Sequence, residues 1–502
     1  MFDPYHLKLQ LTELFSSRSL QEHPLHESTR RSIVKKIDLH ALPVLSLLWL
    51  ACFLDRTNVG NAKVGGMDDT LGLVGLQYNI GLAIFYASYI FAELPSNYLL
   101  KQVGAKLWLP FLVASWGAVT ILMGFMKNYS SLLACRFFLD PPSFSHIFLI
   151  PQMMYLSTMY QRNELQLRVG VFYVFAPLSG AFGGLLAYGI EHMEGVGGLK
   201  GWQWMFVWEG IGTVLVAIFG VCYMPKNLAT ASFLTPEERH FAASEEKVKS
   251  GEDKLNEITN HHLIHEEFEM REVIRGFKEP QVWMTGFGYM GLSVCIYSFA
   301  LFLPTIVLGM GHSGLDAQLH SSFPYLPASV LVLIMAFIGD RLQLRGPIIL
   351  LLTPIAMVGY ILCITADSND ARYAGVFLIA AGIYPATPSI LCILPNNVAG
   401  LTKRGTVTAL HLMISNCGGF VATFIYTREQ APRYKKGHSI ALAFLVFAWT
   451  MFFLNSMYCR KENKARSNHK RDSNLMKYDQ LVKDGKTNAP IGDRHPNFKF
   501  TI

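Results

Sequence analysis

The chain of 502 residues is 51% hydrophobic and only 16% charged, well under the roughly 25% charge of soluble domains, which excludes an ordinary soluble globular protein. Its formal charge of +7 does not point to nucleic acid, because much of the basic excess lies in the two ends and the aromatic residues sit in apolar runs. The eight cysteines are scattered and show no CxxC or Cys/His spacing, which argues against a disulfide framework and a metal site.

Taken in order, the chain starts with thirty-odd polar residues of mixed charge that lack the apolar core of a cleavable signal peptide, so the first span is expected to target the protein. Apolar runs of about twenty residues, each enough for a ~30 Å bilayer core, follow at Leu39–Ala62, Gln77–Leu100, Lys106–Met126, Ser131–Leu156, Val169–Ile190 and Trp202–Tyr223. From Met224 to Glu279 the chain turns polar. There Thr235, Pro236 and Glu238 fit the cap, first and third positions of a short helix. Six more runs follow at Val282–Val307, Gln318–Ile338, Pro347–Ala366, Tyr373–Leu394, Val407–Thr427 and Ile440–Tyr458. The basic, polar residues after them are expected to be disordered.

This layout predicts an all-α membrane protein of twelve transmembrane helices in two pseudo-symmetric six-helix bundles, with a site between them near the midplane. The expected divisions are a cytoplasmic tail at 1–38, a first bundle at 39–223, a cytoplasmic loop at 224–280, a second bundle at 281–459 and a basic cytoplasmic tail at 460–502. The basic turns K-Q-V-G-A-K after the second span and G-D-R-L-Q-L-R-G after the eighth echo one another. Positive charge in the short loops is nearly balanced between the two sides. Arg30, Arg31, Lys35, Lys36 and the tail from Arg460 place both ends in the cytoplasm.

Charge inside the spans carries the functional signal, since intramembrane ionisable residues are expensive and mark pathways or binding sites. In C-F-L-D-R-T-N-V-G-N of the first span, Asp55 and Asn58 lie one helical turn apart with Arg56 beside them, forming a polar flank able to line a cavity. Asp55 is a candidate proton site, with structural pairing to a basic group as the alternative. Glu93, isolated in F-A-E-L-P-S-N of the second span, is a second candidate, with a gating or packing role beside Asn97 as the alternative. Asn396 and Asn397 near the inner end of the tenth span, and Asn416 within the eleventh, are buried-amide candidates for contact with a solute or for capping broken helix ends. Gly180, Gly183 and Gly184 are expected to permit close helix packing. Tyr86, Tyr89, Phe172, Tyr173, Tyr297 and Phe302 are cavity-lining or stacking candidates. The spans offer no nucleophile with a positioned base, which argues against an enzyme, and no cofactor is called for.

The segments L-D-R-T-N-V-G-N-A-K-V, F-A-E-L-P-S-N-Y-L-L-K, S-G-A-F-G-G-L-L-A-Y-G-I, G-W-Q-W-M-F-V-W-E-G, G-D-R-L-Q-L-R-G-P and L-P-N-N-V-A-G-L-T-K-R resemble the major facilitator superfamily. Within it they resemble the fungal allantoate-permease and nicotinate-transporter branch of the anion:cation symporters, over about Val34 to Arg466. The resemblance implies alternating access and secondary transport of a small organic anion, commonly with protons, by a monomer in the lipid bilayer of the fungal plasma membrane. It implies that Arg56 and Arg136 are the cations for a substrate carboxylate, and that Gly339, Asp340, Arg341 and Arg345 form a conformational latch. After Arg136 the chain departs from the family pattern. Ser143 stands near the position of a family glutamate, and Pro141–Pro142 would kink the fourth span. A transport-inactive nutrient sensor, or a variant inactivated at this departure, is the rival reading.

Overall fold

A computed structural model describes residues 4–85, 103–139, 155–156, 159–160, 162–242, 269–342, 344–487, 489 and 491–502, with side chains from Ser28 onward except at 105, 162–166, 229 and 401. Among these residues the regular structure is helical. The main helices are α1 (Pro4–Ala62), α2 (Ala105–Met123), α3 (Tyr129–Leu139), α4 (Arg162–Tyr173), α5 (Phe175–Glu191), α6 (Gly201–Tyr223), α7 (Met270–Phe277), α8 (Pro280–Leu308), α9 (Gly314–Ser322), α10 (Tyr325–Leu342), α11 (Gly346–Thr365), α12 (Asn369–Asn397), α13 (Leu401–Ala422), α14 (Lys435–Ser467) and α15 (Ser473–Lys483). Nine stretches among the described residues are long and apolar enough to cross a membrane. The second and fourth predicted spans enter the described residues only in part. The eleventh is α13, which opens on the polar stretch L-T-K-R-G.

Helix α1 packs on α5 and α6, and α2 packs along α6. In the second half, α8 packs on α13 and α14, and α11 packs on α12 and α14. The halves meet where α1 lies on α8, and where α4 and α5 lie on α9 and α10. Small residues make these approaches possible, as expected for helices whose association rests on close packing. A Cβ on Gly117 would come within 2.9 Å of the Gly210 carbonyl oxygen, so α2 and α6 touch backbone to backbone. A Cβ on Gly180 would meet the Tyr325 ring at 2.6 Å, and one on Gly60 would meet the Leu301 carbonyl oxygen at 2.5 Å.

Residues 30–38 of α1 are tied to neighbouring segments at one end of the helices. Arg168 pairs with Asp38 at 2.7 Å, the Tyr160 hydroxyl donates to Asp38 at 2.7 Å, and Arg30 donates to the Met159 carbonyl at 3.1 Å. The expected cap at Thr235 forms in full. The Glu238 N–H donates to Thr235 Oγ1 at 3.3 Å, and the Thr235 N–H donates to Glu238 Oε2 at 2.9 Å. Lys36 and Ser32 reach the same carboxylate at 2.6 and 2.8 Å. Residues 28–38 are thus helical and docked, so α1 is one continuous helix where the sequence suggests a polar tail followed by a span.

The expectation of a disordered C-terminal tail is corrected. Residues 473–483 form α15, and the segment after it lies across the tail-side ends of the second-half helices. Lys403 holds Asp493 at 2.6 Å and Glu279 at 2.8 Å. Asn397 exchanges hydrogen bonds with Thr501 in both directions, at 2.7 and 3.0 Å. Asn463 does the same with Phe500, and Arg466 lies 4.3 Å from that ring. These partners come from three different helices, α12, α13 and α14, so composition after α14 could not reveal them.

The far end is closed in this structure. Asn79 donates to the carbonyls of Thr423 and Tyr426 at 2.5 and 3.0 Å. Phe302 packs between Tyr78 and Tyr426, and the Lys63 ammonium sits 3.9 Å from the Tyr78 ring centre.

Candidate functional site

The polar flank of α1 faces the interior because its opposite side carries apolar residues that pack within the bundle. Asp55, Arg56, Asn58 and Asn61 are all buried, and Asn61 donates to Asn58 Oδ1 at 3.1 Å. Glycine makes room for them. A Cβ on Gly183 of α5 would lie 2.7 Å from Asn58 Oδ1 and 3.0 Å from Thr57 Oγ1. The expectation that the glycine-rich fifth span permits close packing therefore holds, and what Gly183 accommodates is the candidate site itself.

Arg56, 6% exposed, is surrounded by aromatic faces. Its guanidinium carbon lies 4.8 Å from the Phe53 ring centre and 5.5 Å from those of Phe85 and Tyr297. Arg136, 2% exposed, lies 5.8 Å from the same Phe85 ring. The two arginines named from sequence, 80 positions apart in the numbering, are therefore brought to one aromatic residue at cation–π range. Asp55 completes the centre. Its Oδ2 accepts from Thr120 of α2 at 3.1 Å and from Thr213 of α6 at 3.3 Å. Asp55 thus ties three helices of the first half together, and Arg136 acts on it electrostatically.

The remaining sequence candidates divide. Tyr297 lines the arginine and Tyr173 lies near both. Phe172 packs on Trp49 at 4.6 Å and Phe302 belongs to the far-end closure. Asn416 is buried, and its amide nitrogen has no hydrogen-bond partner among the described residues. Asn396 is corrected. It is exposed at the tail-side end of α12, while Asn397 is buried and bonded to Gln281 and Thr501. One residue of helix is a turn of about 100°, and here that turn carries Asn396 outward while Asn397 faces in. In the latch, Arg345 is fully buried and lies 3.9 Å from Asp340. A Cβ on Gly339 would sit 3.0 Å from the Arg345 guanidinium. Arg341 is exposed. Glu93, Asn97, Tyr86, Tyr89, Pro141, Pro142 and Ser143 lie outside the described residues.

Sequence reasoning missed Phe53, Phe85, Thr120, Thr213 and Glu209. The aromatics gave no warning, being ordinary members of apolar runs. Glu209 did: it is a single carboxylate in G-W-Q-W-M-F-V-W-E-G, and it is 4% exposed inside α6.

The arrangement presents two guanidiniums, one carboxyl and flat aromatic walls in a buried centre. That suits reversible binding of a small anion and offers no group placed for bond cleavage. Comparisons with known proteins place the chain in a family. A profile of the Major Facilitator Superfamily matches residues 45–423. An uncharacterised transporter of Schizosaccharomyces pombe is 33% identical over 440 residues, covering 87% of this chain and 86% of the relative. The high-affinity nicotinic acid transporter of Saccharomyces cerevisiae is 29% identical over 480 residues, covering 95% and 86%. Among solved structures, a bacterial homologue of the human lysosomal transporter Spinster, inward-facing and unoccupied, aligns with a TM-score of 0.61 at 16% identity, covering 86% of this chain and 97% of that one. That likeness concerns the fold. With a matching profile over most of its length, a relative above 30% identity and the arginine-centred interior described here, the chain belongs to the major facilitator superfamily and is a multi-pass membrane transporter, not an enzyme.

Proposed function

We propose that this transporter carries a small organic anion, a carboxylate on a compact or planar scaffold, in symport with protons by alternating access. The observation that carries the reading is the placement of Arg56 and Arg136 around Phe85. Two buried guanidiniums form a strong electrostatic and bidentate trap for one carboxylate. The rings of Phe53, Phe85 and Tyr297 offer faces against which a flat solute can stack. The name of the nicotinic acid transporter relative supports a pyridine carboxylate as one member of the class, and a ureide acid is the other scaffold the resemblance favours.

In this mechanism the anion enters when the far end opens and pairs with the arginines at the midplane. Protonation of Asp55 removes a competing negative charge, and the loaded carrier then rocks to expose the site to the other side. Two six-helix halves, both termini in the cytoplasm, a monomeric carrier and residence in the fungal plasma membrane belong to this reading. So does the Gly339–Asp340–Arg341–Arg345 cluster as a latch on the tail side, with Arg345 buried and Arg341 exposed. Glu93 remains a second candidate proton site. The test is an uptake screen of labelled small carboxylates at two pH values in cells expressing the chain. Uptake of at least one carboxylate should rise at the lower pH and should vanish in Arg56→Ala while the protein stays at the membrane. Undiminished uptake by Arg56→Ala overturns the reading.

A further inference from the structure

Glu209 is a buried acid that the anion site just described does not use. Helix α6 turns it toward Asp55. Thr213, one helical turn further along α6 on the same face, donates to Asp55 Oδ2 at 3.3 Å. The neighbouring Gly210 is locked against α2, where a Cβ would come within 2.7 Å of the Gly117 carbonyl oxygen. The helix therefore has no freedom to roll Glu209 elsewhere. Neither carboxyl oxygen of Glu209 has a hydrogen-bond partner among the described residues, and the same holds for the Asn58 amide nitrogen and for Asp55 Oδ1.

The groups that face Glu209 can be named element by element. From α1 they are Asp55, whose charge acts on it, and the Asn58 side-chain amide, a donor turned toward its carboxyl. From α3 comes Arg136, which acts on Asp55. Helix α2 brings Thr120 to Asp55, and α5 brings Gly183 against Asn58, neither of them titratable. An unpaired carboxylate in such a place costs several kcal/mol, and a second carboxylate nearby adds repulsion that the low dielectric does not screen. A neutral carboxylic acid carries neither penalty.

We propose that Glu209 is a proton-binding residue of the transport cycle, acting with Asp55 as a carboxyl pair that takes up a proton when the anion binds. This rests on the anion-symport reading and supplies its coupling half. With both carboxylates charged, their negative charge offsets part of the attraction that the arginine centre exerts on a substrate anion. Each proton bound converts one carboxylate to its acid and frees one positive charge for the substrate. Anion and proton thus favour each other's binding to the same extent, and the proton returns to water on the far side of the transport step. The pair also gives the first half of the chain its acid independently of the residues after Arg136.

The test uses the full chain in proteoliposomes and compares wild type with Glu209→Gln and Glu209→Asp. Glu209→Gln should lose uphill accumulation of the transported carboxylate driven by a pH gradient, by roughly tenfold or more. It should keep substrate counterflow, which needs no net proton movement, and should lose a protonated-carboxyl band from the infrared spectrum of the purified protein. Glu209→Asp should retain all three behaviours. Uphill accumulation intact in Glu209→Gln overturns the proposal, as does loss of counterflow in both variants, which would mark a structural role. Uptake by wild type driven equally well by a sodium gradient also overturns it. If wild type moves no carboxylate at all, the anion-symport reading fails, and the infrared band still decides whether Glu209 holds a proton.

Discussion

Replacing Arg56 by lysine keeps the charge but removes the planar fork and its stacking on Phe53 and Tyr297. Lysine presents a point charge where a bidentate donor stood. Arg56→Lys is expected to raise the KM for the carboxylate by about tenfold or more, a loss of ~1.4 kcal/mol or greater, as measured by initial uptake rates. Gly183→Val is expected to be worse for the protein as a whole. Its side chain would push into Asn58 and Thr57, an overpacking worth ~1–3 kcal/mol, visible as a lower thermal unfolding midpoint of the purified protein. At this scale the sequence was legible wherever a charge interrupted an apolar run. Asp55, Arg56 and Asn58 stand out that way and share one buried flank. Glu209 obeys the same rule, yet it sat inside a motif read only as likeness. Asn396 shows the opposite failure, because a linear pair of asparagines does not reveal which of the two the helix turns inward.

At the scale of elements, the contacts that hold α1 at the tail end are ionic and respond to pH. Burial alone would raise the Glu238 carboxyl above its ordinary 4.5, but hydrogen bonds from Lys36, the Thr235 backbone and Ser32 outweigh it and pull it down to about 2. The stabilisation is therefore fully present above pH 4.5 and is lost as the pH falls from there toward about 2. Amide hydrogen exchange in residues 235–242 is expected to be steady from neutral pH to about 5 once corrected for its intrinsic rate, and to accelerate below. In Glu238→Gln the same acceleration should already be present at neutral pH. The C-terminal segment answers to a different device. Asn397→Ala removes the two-way bond to Thr501, and limited proteolysis of residues 491–502 should speed up, with α15 less affected. Composition predicts disorder for such a basic stretch. Order arises because Lys403, Asn397, Asn463 and Arg466, spread over three helices, each reach one point of it. The capping pattern at Thr235, by contrast, is local in sequence and was readable there.

For the whole molecule, the proposed alternating access requires the far end to open and close around the centre. Closure rests on α1 meeting α8 backbone to backbone at Gly60 and Leu301, with Asn79 bridging to the end of α13. Gly60→Leu cannot make that approach. It should leave the protein in the membrane but abolish net uptake, and Asn79→Cys should react faster with an impermeant thiol reagent in that background. The order of apolar runs made the helical membrane architecture legible, whereas the approach of Arg56 and Arg136 to the one ring of Phe85 depends on tertiary packing and could be expected only by resemblance. The central claim is that these two guanidiniums hold one anion. Equilibrium binding of a transported carboxylate to purified wild type, Arg56→Ala, Arg136→Ala and the double variant tests it most directly. Each single substitution should weaken binding by at least tenfold, and the double should weaken it by clearly less than the product of the two. Unchanged binding in either single variant, or strictly multiplicative losses, would contradict a shared anion site.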